Sequence, residues 1–200
     1  MSRKTRYLKS VNEYFHLFNR GVNREQIFFK RSDYTSFIDR MTRCLDRSLL
    51  AIIAYCLMPN HFHIVVLQKV PYAMADFMKG VCQEHAKRIN AWLDRKGHLF
   101  EGRYKLKHVF DPSYLASLSR YVHMNPVEAR LVRSPTDWEY SSCGDYCGTR
   151  GRNIVDPDAV LDLMESPEQY FESLAEFRTQ DLEKVRWFFK HRNRKQKRGQ

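Results

Sequence analysis

No hydrophobic run in this chain is long enough to cross a bilayer; the longest, Leu49 to Met58, is about half what a membrane helix needs. The charged start, Met1-Ser-Arg-Lys-Thr-Arg, has no apolar h-region behind it, so no secretory signal is expected. Cysteine is sparse, at 5 in 200 residues, and the spacing is neither even nor dense. That argues against a disulfide framework and for a reducing cytoplasm. Cys143 and Cys147 form a C-x3-C pair with no second pair nearby, which suits packing or free thiols better than zinc. There is no internal repeat and no G-x-x-x-x-G-K-[ST] loop, so no nucleotide cofactor is expected. Secreted, membrane and disulfide-stapled classes are excluded.

What is present is positive charge, unevenly placed. The net charge is +11, with 43% hydrophobic residues, enough for a real core. Residues 1–133 carry 23 Lys and Arg against 11 Asp and Glu. Residues 134–183 carry 3 against 12, and residues 184–200 carry 8 against none. The division expected is a basic body over 1–133, an acidic and mostly helical extension over 134–183, and a basic disordered tail over 184–200. Such a field suits a polyanion binder, the tail adding non-specific phosphate contacts. The acidic extension could then restrain the basic face by covering it.

The hydrophobic pattern gives an element order. Tyr14 to Arg20 is expected as a strand ending before Gly21, and Asp33 as the cap of a helix through Phe37, Ile38, Met41 and Leu45. Leu49 to Met58 and His61 to Leu67 are strands joined at Pro59-Asn60. Ala73 to about Arg95 is helical, Tyr104 to Phe110 is a fourth strand, and Asp111-Pro112 opens a further helix. The order β-α-β-β-α-β then helix gives an α+β fold, a ferredoxin-like antiparallel sheet with an added helix and a C-terminal helical extension. The hairpin around Pro59 is expected to supply the two inner strands, and one face of the sheet to stay open.

His61 and His63, two apart on a strand, leave the same face and could converge on one metal ion. Taken alone they could as well be two surface histidines. Tyr121 and Asn125, four apart on a helix, share a face one turn from each other. A phenol can be a nucleophile and an amide oxygen a metal ligand, though a tyrosine on an apolar helix is usually core and Asn-Pro is usually a helix end. Pro126 is expected to bend the helix at Asn125.

These residues carry a resemblance. Cys56-Leu-Met-Pro-Asn-His61-Phe-His63-Ile-Val-Val resembles the histidine–hydrophobic–histidine (HUH) motif of single-tyrosine transposases. Leu118-Ser-Arg-Tyr121-Val-His-Met-Asn125-Pro-Val-Glu-Ala-Arg-Leu-Val resembles their tyrosine helix, and Phe18-Asn-Arg-Gly-Val-Asn-Arg and His98-Leu-Phe-Glu-Gly-Arg-Tyr-Lys their other recurrent blocks, in order. The likeness spans roughly residues 12–147 and is nearest to the REP-associated tyrosine transposases. It implies Tyr121 as nucleophile, His61, His63 and Asn125 as ligands of Mg²⁺ or Mn²⁺, and a 5′-phosphotyrosine intermediate on single-stranded DNA. It also implies REP-type hairpins as partners and a bacterial, nucleoid-associated protein, a monomer in preference to a homodimer. Glu101 departs from the glutamine expected in many relatives, and a carboxylate there would weaken phosphate contact by its neighbours.

Contacts to DNA are expected from an N-terminal arm (Arg3, Lys4, Arg6), from Arg20 and Arg24 around the first loop, and from Arg103, Tyr104, Lys105 and Lys107. Two rival functions stay open: a REP-hairpin binder that no longer nicks, and a phosphodiesterase in which the histidines activate water.

Overall fold

In the computed structural model, residues 7–151, 154–164, 166–177, 183 and 185 are described. Arg3, Lys4, Arg6 and nearly all of the basic tail lie outside the described residues. Strands β1 (Glu13–Arg20), β2 (Leu50–Met58), β3 (His61–Gln68) and β4 (Lys105–Val109) form one antiparallel sheet in the order β2-β3-β1-β4. The inner strands are therefore β1 and β3; the hairpin around Pro59 supplies only one of them. β2 lies at an edge, yet all nine of its residues are buried. The reason is that later chain covers that edge: Leu57 N–H donates to Tyr140 O, Ser142 N–H to Tyr55 O, and Asp156 N–H to Ile52 O. Backbone groups that would otherwise template aggregation are thus paired.

Period-two alternation along the strands divides the core in two. Phe15, Leu17, Ile52, Tyr55, Leu57, Phe62, Ile64 and Val66 face helices α1 (Arg31–Cys44) and α2 (Ala73–Trp92). Asp33 caps α1 from inside its first turn, Oδ2 accepting from the N–H groups of Phe29 and Lys30, and Lys30 holds the N-cap position. Ala54, Cys56, Met58, Val65 and Val109 face helix α3 (Leu115–Glu128) and the segments after it. That second face, expected to be open, is closed by α3, the short helices α4 (Cys143–Tyr146) and α5 (Asp158–Leu161), and α6 (Pro167–Ala175). Asp111 accepts from Ser113 N–H and starts a single turn that runs into α3.

Residues 138–146 join the two layers. Tyr140 stacks on Tyr34 of α1 at 3.9 Å, while Cys143 and Tyr146 are buried on the opposite face. His123 of α3 sits in a buried polar network, Nδ1 with the Tyr170 hydroxyl at 2.7 Å and Nε2 with Ser142 Oγ at 2.8 Å. A network so fully paired fixes the height and rotation of α3 over the sheet.

The first core also holds a histidine. His85 on α2 packs among Phe28, Phe37 and Phe100, and its Nε2–H donates to Ile27 O at 2.7 Å. Burial pushes its pKa down to about 4, Arg88 adding to the effect while the Ile27 carbonyl and Asp33 oppose it. The unfolded chain therefore takes up this proton first, near pH 6.5. Stability from this residue is complete above that pH and falls as pH drops toward 4, by about 2 kcal/mol at pH 5. Other buried histidines add to the loss between pH 7 and pH 5, so urea melts at the two pH values should show a loss smaller in His85→Phe than in the parent by about this amount.

Candidate active site

The site is built at the end of the sheet where β1, β3 and β4 meet the start of the β2–β3 turn. Cross-strand register places Phe18 opposite His63 and Arg20 opposite His61 on one side, and Lys105 opposite Phe18 and Lys107 opposite His16 on the other. All of these side chains leave one face. Phe18, Arg20, His61, His63 and Lys105 line a cleft of about 350 Å³, together with Arg24. No residue of the acidic extension is among those lining the cleft.

Gly21 ends β1 because the chain must turn where no side chain fits; a Cβ there would collide with the Glu25 carbonyl. Asn23 and Arg24 follow with positive φ (53° and 61°), and Arg24 reaches the cleft. Asn60 Nδ2 donates to Arg24 O at 3.2 Å, which orients the Asn60 amide and leaves its Oδ1 to accept from His61 Nδ1–H at 2.7 Å.

His61 and His63 rings lie 5.1 Å apart, and the Tyr121 ring lies 5.6 Å from His63. His63 is buried, and its Nδ1 is 2.8 Å from Nε2 of His16, itself 3% exposed. Burial drives both below the usual histidine range, His16 to about 3, with Lys107 adding to each. His16 was not singled out in the sequence. Its signal is the strand period: it lies on the same face of β1 as Phe18, the residue opposite His63.

Pro126 does not end α3. The helix continues to Glu128. Proline lacks the N–H that would bond Val122 O, and the Asn125 side chain takes that place. Its Nδ2 donates to Tyr121 O at 2.7 Å and to Val122 O at 3.4 Å. The amide is thereby oriented with its oxygen toward His61, with which it interacts.

This donor set fits a cation. Burial, with the Arg20 charge, holds His61 below its usual pKa against the pull of Asn125. Its Nδ1 faces the Asn60 Oδ1, which leaves Nε2 on the Asn125 side, and an imidazole nitrogen beside an amide oxygen is a donor pair that a divalent cation accepts. Among the described residues no three of His, Cys, Asp and Glu converge to hold a metal.

The other expected contacts divide. Arg20 and Lys105 line the cleft, but both engage Glu101: Arg20 Nη2 at 2.9 Å in a two-pronged pair, and Lys105 Nζ at 3.5 Å. The hydrogen bond from Arg20, with its charge and that of Lys105, takes the Glu101 carboxyl down to about 2. Glu101 thus opposes Arg20 and Lys105, and not the Arg103–Tyr104 pair beside it in sequence. Lys107 lies 5.4 Å over the Phe18 ring, half-buried. Arg103 is exposed, and Tyr104 packs on the first core, away from the histidines.

A ferredoxin-like sheet with this histidine pair beside a tyrosine helix is the frame of a transposase. Residues 9–125 match the family described as IS200-like transposases, and the chain belongs to that family. No curated protein matches it. Among solved structures, it is similar to a REP-associated tyrosine transposase bound to a REP hairpin (17% identity, TM-score 0.56, 79% of this chain and 90% of that one). A candidate transposase of Deinococcus radiodurans R1 aligns over 55% of this chain and 87% of that one, at 18% identity and a TM-score of 0.40, and bears no weight here.

Proposed function

We propose that this protein nicks and rejoins single-stranded DNA at REP-type hairpins through a covalent bond between Tyr121 and the 5′ phosphate. The observation that carries the reading is the placement of the Tyr121 ring against His63, one helical turn from the Asn125 amide that faces His61. Family membership supports it, and so does a basic cleft beside the tyrosine.

His61 Nε2, His63 Nε2 and Asn125 Oδ1 would hold a divalent cation, Mg²⁺ or Mn²⁺, which supplies charge stabilisation at the scissile phosphate. Tyr121 is half-exposed, so its phenol proton has a route to solvent. Its oxygen attacks phosphorus, the bond to the 3′ oxygen breaks, and that oxygen takes a proton. The phosphodiester energy is kept in the tyrosyl ester, so the reverse attack by a 3′ hydroxyl rejoins strands without ATP. Arg24, Arg20, Lys105 and Lys107 hold the backbone in the cleft, with Arg3, Lys4, Arg6, Arg103 and Tyr104 as outlying contacts. The basic body (1–133) carries the chemistry, with the acidic extension (134–183) and basic tail (184–200) as appended parts. The active form is a monomer in the bacterial cytoplasm. No helix among the described residues is long and apolar enough to cross a membrane.

The test is a denaturing gel on labelled single-stranded hairpin DNA with Mn²⁺ or EDTA. A metal-dependent covalent adduct is the expected result. Cleavage without an adduct would move the chemistry to water, and tight binding without cleavage would leave a hairpin binder.

His16 has a separable role here. It fixes the ring of His63 by pairing with Nδ1, leaving Nε2 for the cation. Removing such a partner weakens metal affinity by about 10- to 100-fold. His16→Phe keeps the ring volume, so its Mn²⁺ affinity by calorimetry should fall by that factor while the fold persists.

A further inference from the structure

Phe29 and Trp92 are exposed (38% and 49%) although they touch each other, ring centres 5.6 Å apart at 59°. Phe28, beside Phe29 in sequence, does the opposite: it is buried and stacked on Tyr34 at 4.6 Å. Two large rings left in water at the join of α1 and α2 contribute little to the core. One cation stands on them and two more follow Trp92 in sequence. Lys30 Nζ stands 4.0 Å over the Trp92 ring, Lys96 is exposed, and Arg95 is half-buried.

Contacts between loops tie the patch to the segment that borders the cleft. Arg95 pairs with Glu25 at 3.0 Å, and Val22 N–H donates to Leu99 O, so the loop after α2 lies along the loop that carries Arg24. Ile27 and Phe28 N–H groups both donate to Pro59 O, at 2.8 and 3.0 Å, fixing the path between Arg24 and Phe29. Those five residues span at most about 17 Å, so a strand leaving the cleft meets the rings within a few nucleotides.

We propose that Phe29 and Trp92 form a stacking platform for unpaired bases of the single-stranded DNA that flanks the cleavage site. Stacking on an aromatic side chain tolerates any base, and the cations beside the rings match the backbone charge. The platform sets how much flanking strand the protein grips, rather than which hairpin it selects. This rests on the nicking reading above, since it extends the track from the same cleft.

The experiment uses full-length protein in EDTA and fluorescence anisotropy of labelled DNA hairpins. One set carries a long thymine flank on either side in turn; the other is trimmed to the hairpin foot. Each stacked base is worth about 1–3 kcal/mol, or five- to a hundred-fold. Trp92→Ala and Phe29→Ala should each weaken binding of one long-flank probe by that factor and leave the trimmed hairpin within about twofold. Trp92→Phe should keep most of the affinity. Equal affinity of parent and variants for all long-flank probes would overturn the platform, as would an equal loss on trimmed and long probes. A parent that binds no hairpin would overturn the nicking reading itself. If the rings instead mediate self-association, Trp92→Ala will change sedimentation and not DNA affinity, and the platform falls while nicking stands.

Discussion

Tyr121→Phe is expected to abolish the protein–DNA adduct, with strand cleavage reduced by at least about a thousand-fold, and to leave hairpin affinity within about twofold. In the proposed reaction the removed atom is the one that forms the covalent bond, and loss of a nucleophile commonly costs several orders of magnitude. Binding should survive because the ring itself stays. It packs edge-on against His63 and His16, and Phe makes the same contacts. The measurement is a time course on denaturing gels, with anisotropy on the same preparation. Cleavage that persists in the variant without an adduct would assign the attack to water held near His61 and His63. Loss of cleavage and binding together would point to a misplaced α3 and not to the missing hydroxyl.

Most of the frame was legible in the sequence because strand and helix periods survive in β1, β3, α1 and α2. The His61 and His63 pair could be placed on one face from spacing alone, since a strand alternates whatever surrounds it. The rest failed for tertiary reasons. Asn-Pro usually ends a helix, yet α3 runs on to Glu128, the Asn125 side chain donating to the Val122 carbonyl that Pro126 cannot serve. β2 looked like an inner strand because it is apolar throughout; its edge is covered by residues 140–156, whose sequence carries no strand pattern. His16 was hidden inside an aromatic strand, since nothing local marks a histidine whose partner is 47 residues away. Tyr104, next to cationic residues in sequence, turns to the opposite face because strand alternation separates it from Lys105 and Lys107.

His61→Ala and His63→Ala should each remove the stabilisation that Mn²⁺ gives to the folded protein, and with it metal-dependent cleavage. Binding to the native state alone stabilises by about 2.7 kcal/mol at a hundredfold excess over the dissociation constant, a shift of several degrees in Tm for a chain of this size. The parent should show this shift and either alanine variant should not. The two differ in their cost without metal. His63 is buried and paired with His16, so its loss leaves a cavity and deprives the His16 Nε2 of this contact. Its truncation should lower the metal-free Tm, as expected for a buried side chain. His61 sits at the cleft with Asn60 and Asn125 beside it, both also bonded to backbone carbonyls, so its truncation should be milder. Asn125→Ala gives the matching control for the third donor. It keeps Tyr121 in place, removes the amide oxygen, and exposes the Val122 carbonyl that Pro126 cannot serve. Thermal melts with Mn²⁺ or EDTA on all three proteins make the measurement. A metal shift that survives in His61→Ala and His63→Ala alike would place the ion elsewhere and detach the histidine pair from the chemistry.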